Sequence, residues 1–387
     1  MSERKRISQY SLLRIVGIAF VLIGHAAALQ YAASPADFPA GEIGYTGNFA
    51  GTFKFFADYI YTFHMPLFFF LSGAVAHVSK RADTTFESLF QSKFRHLILP
   101  YFGFLLLYSM PVKTFTGIFS ISDAAQIVIN SALTTKDSGY LWFLYKLFVV
   151  TMLFYLFDRF VLSRRRTLGI SLLVAATVLG LGVPSVLFIG VELKYLLFYA
   201  LGFLFDEHRE TFVKVIEKRR VPILAVFAAY FFLFFFKNFA FVPELTIINH
   251  YLLQSVERAY SEASALISII AWFALCCVAA SFAKVRDSRA VIALDRSAMS
   301  VYLLHDPMNY LIDFGYAAAV TAGVYCTPGV SAFVIALKLA AGLFLSLFVA
   351  KILGRLLQYK SAHIAVTACT IAVYLVCLGY IYVANVF

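Results

Sequence analysis

The stretch Arg14-Ile-Val-Gly-Ile-Ala-Phe-Val-Leu-Ile-Gly-His25 lies inside the first long apolar segment and separates a cation from an imidazole by ten uncharged residues. Eleven positions at about 100° each fall within roughly 20° of three full turns, so both side chains share one helix face, about 16 Å apart along its axis. Gly17 and Gly24 lie beside that face, where a neighbouring helix or a ligand can come close to the backbone. Ionisable groups inside a membrane span are costly and mark functional positions. Taken singly, an Arg14 that snorkels to the interface and a His25 bonded within a bundle are equally good readings. Their shared helical register singles the pair out.

Composition places that helix in a membrane. Of 387 residues, 61% are hydrophobic, 17% aromatic and only 14% charged, with a mean hydropathy of +0.83. A soluble domain carries about 25% charged residues. The chain is therefore expected to be all-α, a polytopic bundle of about ten to eleven transmembrane helices. Apolar segments occur near residues 11–31, 53–78, 96–112, 140–160, 168–189, 193–206, 221–240, 265–283, 298–319, 331–350 and 364–386. With the N-terminus inside, 23 of the 32 Lys and Arg fall on the cytoplasmic set of loops and 6 on the outer set, while Arg14, Lys146 and Lys338 lie within spans. This asymmetry sets the orientation and puts the C-terminus outside. It also accounts for the net charge of +11 without any nucleic-acid partner.

Three further features bound the reading. Arg4, Lys5 and Arg6 before an apolar run, with Ala26 to Ala28 after it, resemble a signal peptide. Arg14 and His25 would be out of place in a signal core, and the run is long enough to span, so it is expected to be retained. The five cysteines show no spacing suited to zinc, and no metal site is expected. Residues 32–52, 113–139 and 241–264 form polar outer loops, which are either solvated connectors or the docking place of a hydrophilic acceptor. No soluble domain or internal repeat is visible.

Other spans carry polar groups as well. The second reads Phe63-His64-Met65-Pro66-Leu67-Phe68-Phe69-Phe70-Leu71-Ser72-Gly73, and Pro66 frees a backbone carbonyl there. The fourth begins Leu141-Trp142-Phe143-Leu144, and the ninth reads Ser300-Val301-Tyr302-Leu303-Leu304-His305-Asp306-Pro307.

Arg-x10-His, His-Met-Pro-Leu-Phe-Phe-Phe-Leu-Ser-Gly, Trp-Phe-Leu and Ser-x-Tyr-Leu-x-His, in this order, resemble acyltransferase family 3. These are integral membrane enzymes, fucose 4-O-acetylase-like proteins among them, that O-acylate surface and secreted carbohydrates in bacteria. The resemblance runs from about residue 8 to about residue 350. It implies an acyltransferase-3-like membrane domain over residues 1–363, with residues 364–387 as an additional C-terminal transmembrane helix. It further implies a bacterial cytoplasmic membrane location, acyl-CoA as donor substrate (acetyl first, succinyl as competitor), no tightly bound cofactor, and a carbohydrate or lipid-linked glycan acceptor. Three positions depart from the family pattern. Ser11 stands where many members carry Asp, and Lys93 and His96 stand where many carry an Arg-x-x-Arg pair.

Moving an acyl group from a thioester to a sugar hydroxyl needs a base for the hydroxyl proton and donors for the oxyanion. Imidazole exchanges protons near neutrality. By the resemblance His25 is the catalytic base, with His305 in reserve. Arg14 stays charged and is expected to meet a donor phosphate or a carbonyl. Lys80, Arg81, Lys93 and Arg95 surround the inner mouth and either grip the donor or only signal topology. His64 is either a substrate contact or a structural bond at the Pro66 kink. Trp142, Ser300 and Tyr302 are the remaining expected substrate contacts. His77, His96, His208 and His363 lie near span boundaries and receive no role. The competing function is a transporter or flippase of a glycan or lipid-linked sugar, which would be expected to show internal repeats and paired broken helices.

Overall fold

Apolar runs rich in Leu, Phe, Ala and Tyr, with charges only at their ends, leave the backbone no partner in lipid except itself, and helices follow. The computed structural model describes residues 7–29, 45–79, 84–180, 193–237, 250–349 and 351. Among these no strand occurs, and the architecture is an all-α bundle. We number its main helices α1 (Ser8–Ala27), α2 (Asn48–Ser79), α3 (Phe86–Phe115), α4 (Ala124–Thr134), α5 (Trp142–Phe157), α6 (Arg166–Gly180), α7 (Leu193–Lys218), α8 (Arg220–Lys237), α9 (His250–Ala280), α10 (Arg289–Thr321) and α11 (Pro328–Val349).

Among the described residues, six stretches are long and apolar enough to cross a membrane: α1, α2, α3, Ala124–Leu162, Tyr260–Ala280 and α11. Helix α10 is as long but more polar, since Asp306 and Asp313 are buried within the bundle and Asp295 nearly so. The described parts of the apolar segments read from sequence fall on helices, while residues 30–31, 181–189, 238–240, 350 and the whole of 364–386 lie outside the described residues. Several helices extend beyond their apolar cores. Segment 193–206 continues as α7 to Lys218, and segment 265–283 begins at His250. The segment 113–139, expected to be an outer loop, is not wholly a connector, because α4 forms within it and buries Ile127, Ile129 and Ala132.

Helix α3 passes two prolines, Pro100 and Pro111, each just after a wide turn, at Phe94–Ile98 and Leu105–Ser109. A proline lacks the N–H and collides with the carbonyl four residues back, and a π-type turn makes room for it.

Helix α1 packs against α2, α9, α10 and α11. A Cβ on Gly17 would stand 2.9 Å from the Phe68 ring, and one on Gly24 would stand 3.3 Å from the Tyr61 ring. Rising numbers on α1 meet falling numbers on α2, so the two helices run antiparallel, close at both glycines. Helices α2 and α7 cross closer still, through Gly73 and Gly202. At the Ser8 end, Asp206 of α7 accepts from Tyr10 of α1 at 2.5 Å and meets His77 of α2 at 2.9 Å. Arg209 pairs with the same carboxylate at 3.4 Å. This buried carboxylate ties three helices together.

Candidate active site

The site is built where α10 passes α1. Pro307 has no N–H to offer the Leu303 carbonyl, the partner four residues back in a regular helix. The Tyr140 hydroxyl donates to Leu303 instead, at 2.6 Å, and the Tyr108 hydroxyl donates to the Leu304 carbonyl at 3.0 Å. The Tyr302 hydroxyl donates back to the Tyr140 carbonyl. Three tyrosines thus hold the proline-weakened turn of α10 against the start of α5 and the middle of α3.

That turn carries His305 and Asp306, both fully buried. His305 Nδ1 faces the carbonyls of Tyr302 at 2.8 Å and Val301 at 3.2 Å. Carbonyls only accept, so Nδ1 holds the proton and Nε2 presents a lone pair. That Nε2 is buried and has no hydrogen-bond partner among the described residues. Asp306 reaches the other way and accepts from His25 Nδ1 at 2.7 Å. The proton on Nδ1 leaves His25 Nε2 as a base. The side chain of His25 stays 18% exposed, against 1% for Asp306. The two imidazoles meet edge to face, with centroids 4.9 Å apart. His64 of α2 bonds the Ile60 carbonyl through Nδ1 at 3.0 Å and packs on Tyr61. Its Nε2 is therefore also the acceptor nitrogen.

Toward the Ser8 end, Arg14 pairs through Nη1 with Asp295 at 2.5 Å, and the Ser11 hydroxyl donates to the second oxygen of that carboxylate at 2.7 Å. The carboxylate that balances Arg14 thus comes from α10, and Ser11 serves it. Toward the Ala27 end, Lys338 of α11 pairs with Asp313 of α10 at 2.9 Å, with both side chains fully buried. The same ammonium donates to the carbonyl of Ala28, the C-cap of α1, at 2.6 Å.

Imidazole and carboxylate groups are also metal ligands. His25, His305 and Asp306 each offer one ligand atom, and these lie within 4.8 Å of one another. Three ligands and one open position make a catalytic zinc set. Here His25 and Asp306 are in hydrogen-bond contact with each other, which is the geometry of a base and its orienting carboxylate.

Of the residues expected from sequence, the structure brings His25 and His305 together, with His64 beside the α1–α2 contact at Gly24 and Tyr61. Tyr302 lies against His305, but its hydroxyl is spent on the Tyr140 backbone. Trp142 stacks near Tyr195 and under the Lys146 ammonium, and Ser300 is half-buried on α10. Lys93 is half-buried and Arg95 exposed, while Lys80 and Arg81 lie outside the described residues. Sequence reasoning placed Asp306 beside His305 and did not connect it to His25. It also missed Asp295, Tyr108 and Tyr140. A signal for the carboxylates was present, since Asp295 and Asp306 are spaced as Arg14 and His25 are.

A family model described as an acyltransferase domain, that of acyltransferase family 3, matches residues 7–349. The chain belongs to this family. No curated protein and no solved structure matches it. The matched span takes in every residue of the site just described, from Ser11 to Lys338. The acyltransferase is thus a helical membrane-type enzyme whose candidate base sits inside the bundle.

Proposed function

We propose that this acyltransferase moves an acyl group, acetyl before succinyl, from cytosolic acyl-CoA to a hydroxyl of a surface or lipid-linked carbohydrate. The membrane would be the bacterial cytoplasmic membrane, with the Ser8 end of the bundle on the cytoplasmic side. The observation that carries the reading is the 2.7 Å contact of His25 Nδ1 with the buried Asp306. That contact fixes the tautomer and aims Nε2 for proton abstraction.

In the step, His25 Nε2 takes the proton of the acceptor hydroxyl as its oxygen attacks the thioester carbonyl. The carbon–oxygen bond forms and the carbon–sulfur bond breaks. The imidazolium, stabilised by Asp306, returns the proton to the departing thiolate. Arg14 stands about 16 Å nearer the Ser8 end. Its planar fork can pair with Asp295 on one side and meet a donor phosphate on the other, with Lys93 and Arg95 as further donor contacts beside the Lys80 and Arg81 expected from sequence. The pantetheine arm then extends along α1 to His25, and the acceptor enters from the Ala27 end.

The test is CoA release from acetyl-CoA by purified protein in detergent with a carbohydrate acceptor. His25→Ala should lower it by about 10²–10⁴-fold, the usual weight of a general base, with the protein still folded. A His25→Gln variant at wild-type rate would remove His25 from the base role. Acceptor transport without CoA release would favour the flippase reading.

A further inference from the structure

Lys113 lies two residues from the Phe115 end of α3, where a long stem ordinarily carries an ammonium out to the interface. It does the opposite and is only 4% exposed. The ammonium is turned into the bundle, 4.8 Å from the centroid of the Phe119 ring and 5.1 Å from that of Tyr310. The chain after α3 folds back so that the Lys113 carbonyl receives the N–H groups of Ile118 at 2.8 Å and Phe119 at 3.1 Å. This brings Phe119 over the lysine that precedes it. On another flank stands Gly139, at φ +56, where a Cβ would lie 2.8 Å from Nζ. A side chain at this position would collide with the ammonium.

Among the described residues no carboxylate stands within ion-pair distance of this ammonium, and its contacts are the two rings. Asp137, two residues before Gly139, is held by the Asn130 amide at 2.6 Å and reaches the ammonium only through its charge. Two aromatic faces attract a cation without replacing the hydration of a buried ammonium, so three N–H donors remain for a ligand. Tyr310 is one turn beyond Asp306 on α10, which sets Lys113 on the Ala27 side of the His25–Asp306 pair. Lys113 and Asp306 are close enough to feel each other's charge.

We propose that Lys113 is an anion subsite for the acceptor, holding a carboxylate or a phosphate of the carbohydrate while a neighbouring hydroxyl is presented to His25. This rests on the acyl-transfer reading above. An acidic sugar and a phosphate-linked sugar carry the same recognition chemistry, and the test separates them. CoA release is measured with methyl glucuronide, glucose 1-phosphate and neutral methyl glucoside, and the ratio of kcat/KM for each anionic probe to the neutral one is the readout. A single charge-assisted contact predicts a ratio of about ten to a hundred for one of the anionic probes. The favoured probe identifies the source of the anion. Lys113→Met should bring the ratio to about one, and Lys113→Arg should keep more of it than Met does. A wild-type ratio near one overturns the subsite whatever the variants do, as does an undiminished ratio in Lys113→Met. Absence of CoA release with every probe overturns the transfer reading together with the subsite.

Discussion

Asp306 stands to His25 in the same register as Asp295 stands to Arg14. In each pair the residues are 281 positions apart, and the contacts are 2.7 and 2.5 Å. Helices α1 and α10 therefore run parallel without slipping for three turns, and two charged rungs join them about 16 Å apart. A slide of either helix breaks both rungs at once. The rung at His25 supplies a base. The rung at Arg14 supplies a cation whose charge is balanced before any substrate arrives.

The first prediction separates the rungs. Asp306→Asn removes the negative charge that favours the Nδ1–H tautomer and stabilises the imidazolium, so kcat for CoA release should fall by about 10²-fold or more. Steady-state kinetics check this. A kcat within a few-fold of wild type would leave Asp306 as a packing residue.

Asp295→Asn and Arg14→Lys should act elsewhere. The first leaves the guanidinium without its counter-charge, and the second keeps the charge but loses the planar fork. Both should move the apparent KM for acyl-CoA more than that for the acceptor. The opposite pattern, with donor KM unchanged and acceptor KM raised, would shift Arg14 to the acceptor side.

Much of this was legible in the sequence because the carriers of information are rare in lipid. Arg14 and His25 announced themselves by polarity and spacing, and Pro66 by the carbonyl it frees. Three kinds of feature were not legible. The partner of His25 is 281 residues away, and periodicity within α1 says nothing about which helix packs against it. Tyr108 and Tyr140 look like the other tyrosines of an aromatic-rich chain, and only the proline turn they satisfy sets them apart. Lys338 lies inside an apolar run, where it was noted as a charge within a span and given no partner. The turn of α4 was hidden for a different reason, since Ser, Thr and Asp residues on both sides of it read as loop.

The buried pair of Lys338 and Asp313 supplies a stability prediction. Removing one partner strands a charge inside the bundle, which costs about 3–5 kcal/mol, whereas replacing both with apolar groups of similar size is near neutral. Lys338→Met and Asp313→Leu should each lower the thermal midpoint in detergent, and the double variant should recover most of the loss. If the double variant is no better than the worse single one, the pair is not the source. The bond from Lys338 to the Ala28 carbonyl would then be the next element to examine.

The hydrogen bond between His25 and Asp306 also predicts the outcome of metal removal. A base held by its carboxylate needs no ion to set its tautomer. Dialysis against a strong chelator should leave CoA release unchanged, and added zinc should inhibit by taking His25, His305 and Asp306 as ligands. Loss of activity on chelation, restored by a divalent cation, would replace the dyad with a metal centre.

The closest approach in the bundle gives a prediction with a built-in control. A Cβ on Gly202 would stand 1.9 Å from the Phe70 carbonyl oxygen, and one on Gly73 would stand 1.9 Å from the Tyr199 carbonyl oxygen. The obstacle is backbone in both cases, so no side chain can rotate away, and α2 and α7 would have to separate. Such overpacking costs about 1–3 kcal/mol in an ordinary core and should cost at least that here. At Gly315 of α10 the same added methyl meets nothing within 4 Å. Alanine there gains the ordinary helix preference over glycine, about 1 kcal/mol. Gly202→Ala should therefore lower the thermal midpoint while Gly315→Ala leaves it unchanged or raises it. If both variants shift in the same direction by similar amounts, helix propensity governs, and the α2–α7 crossing is looser than the glycines indicate.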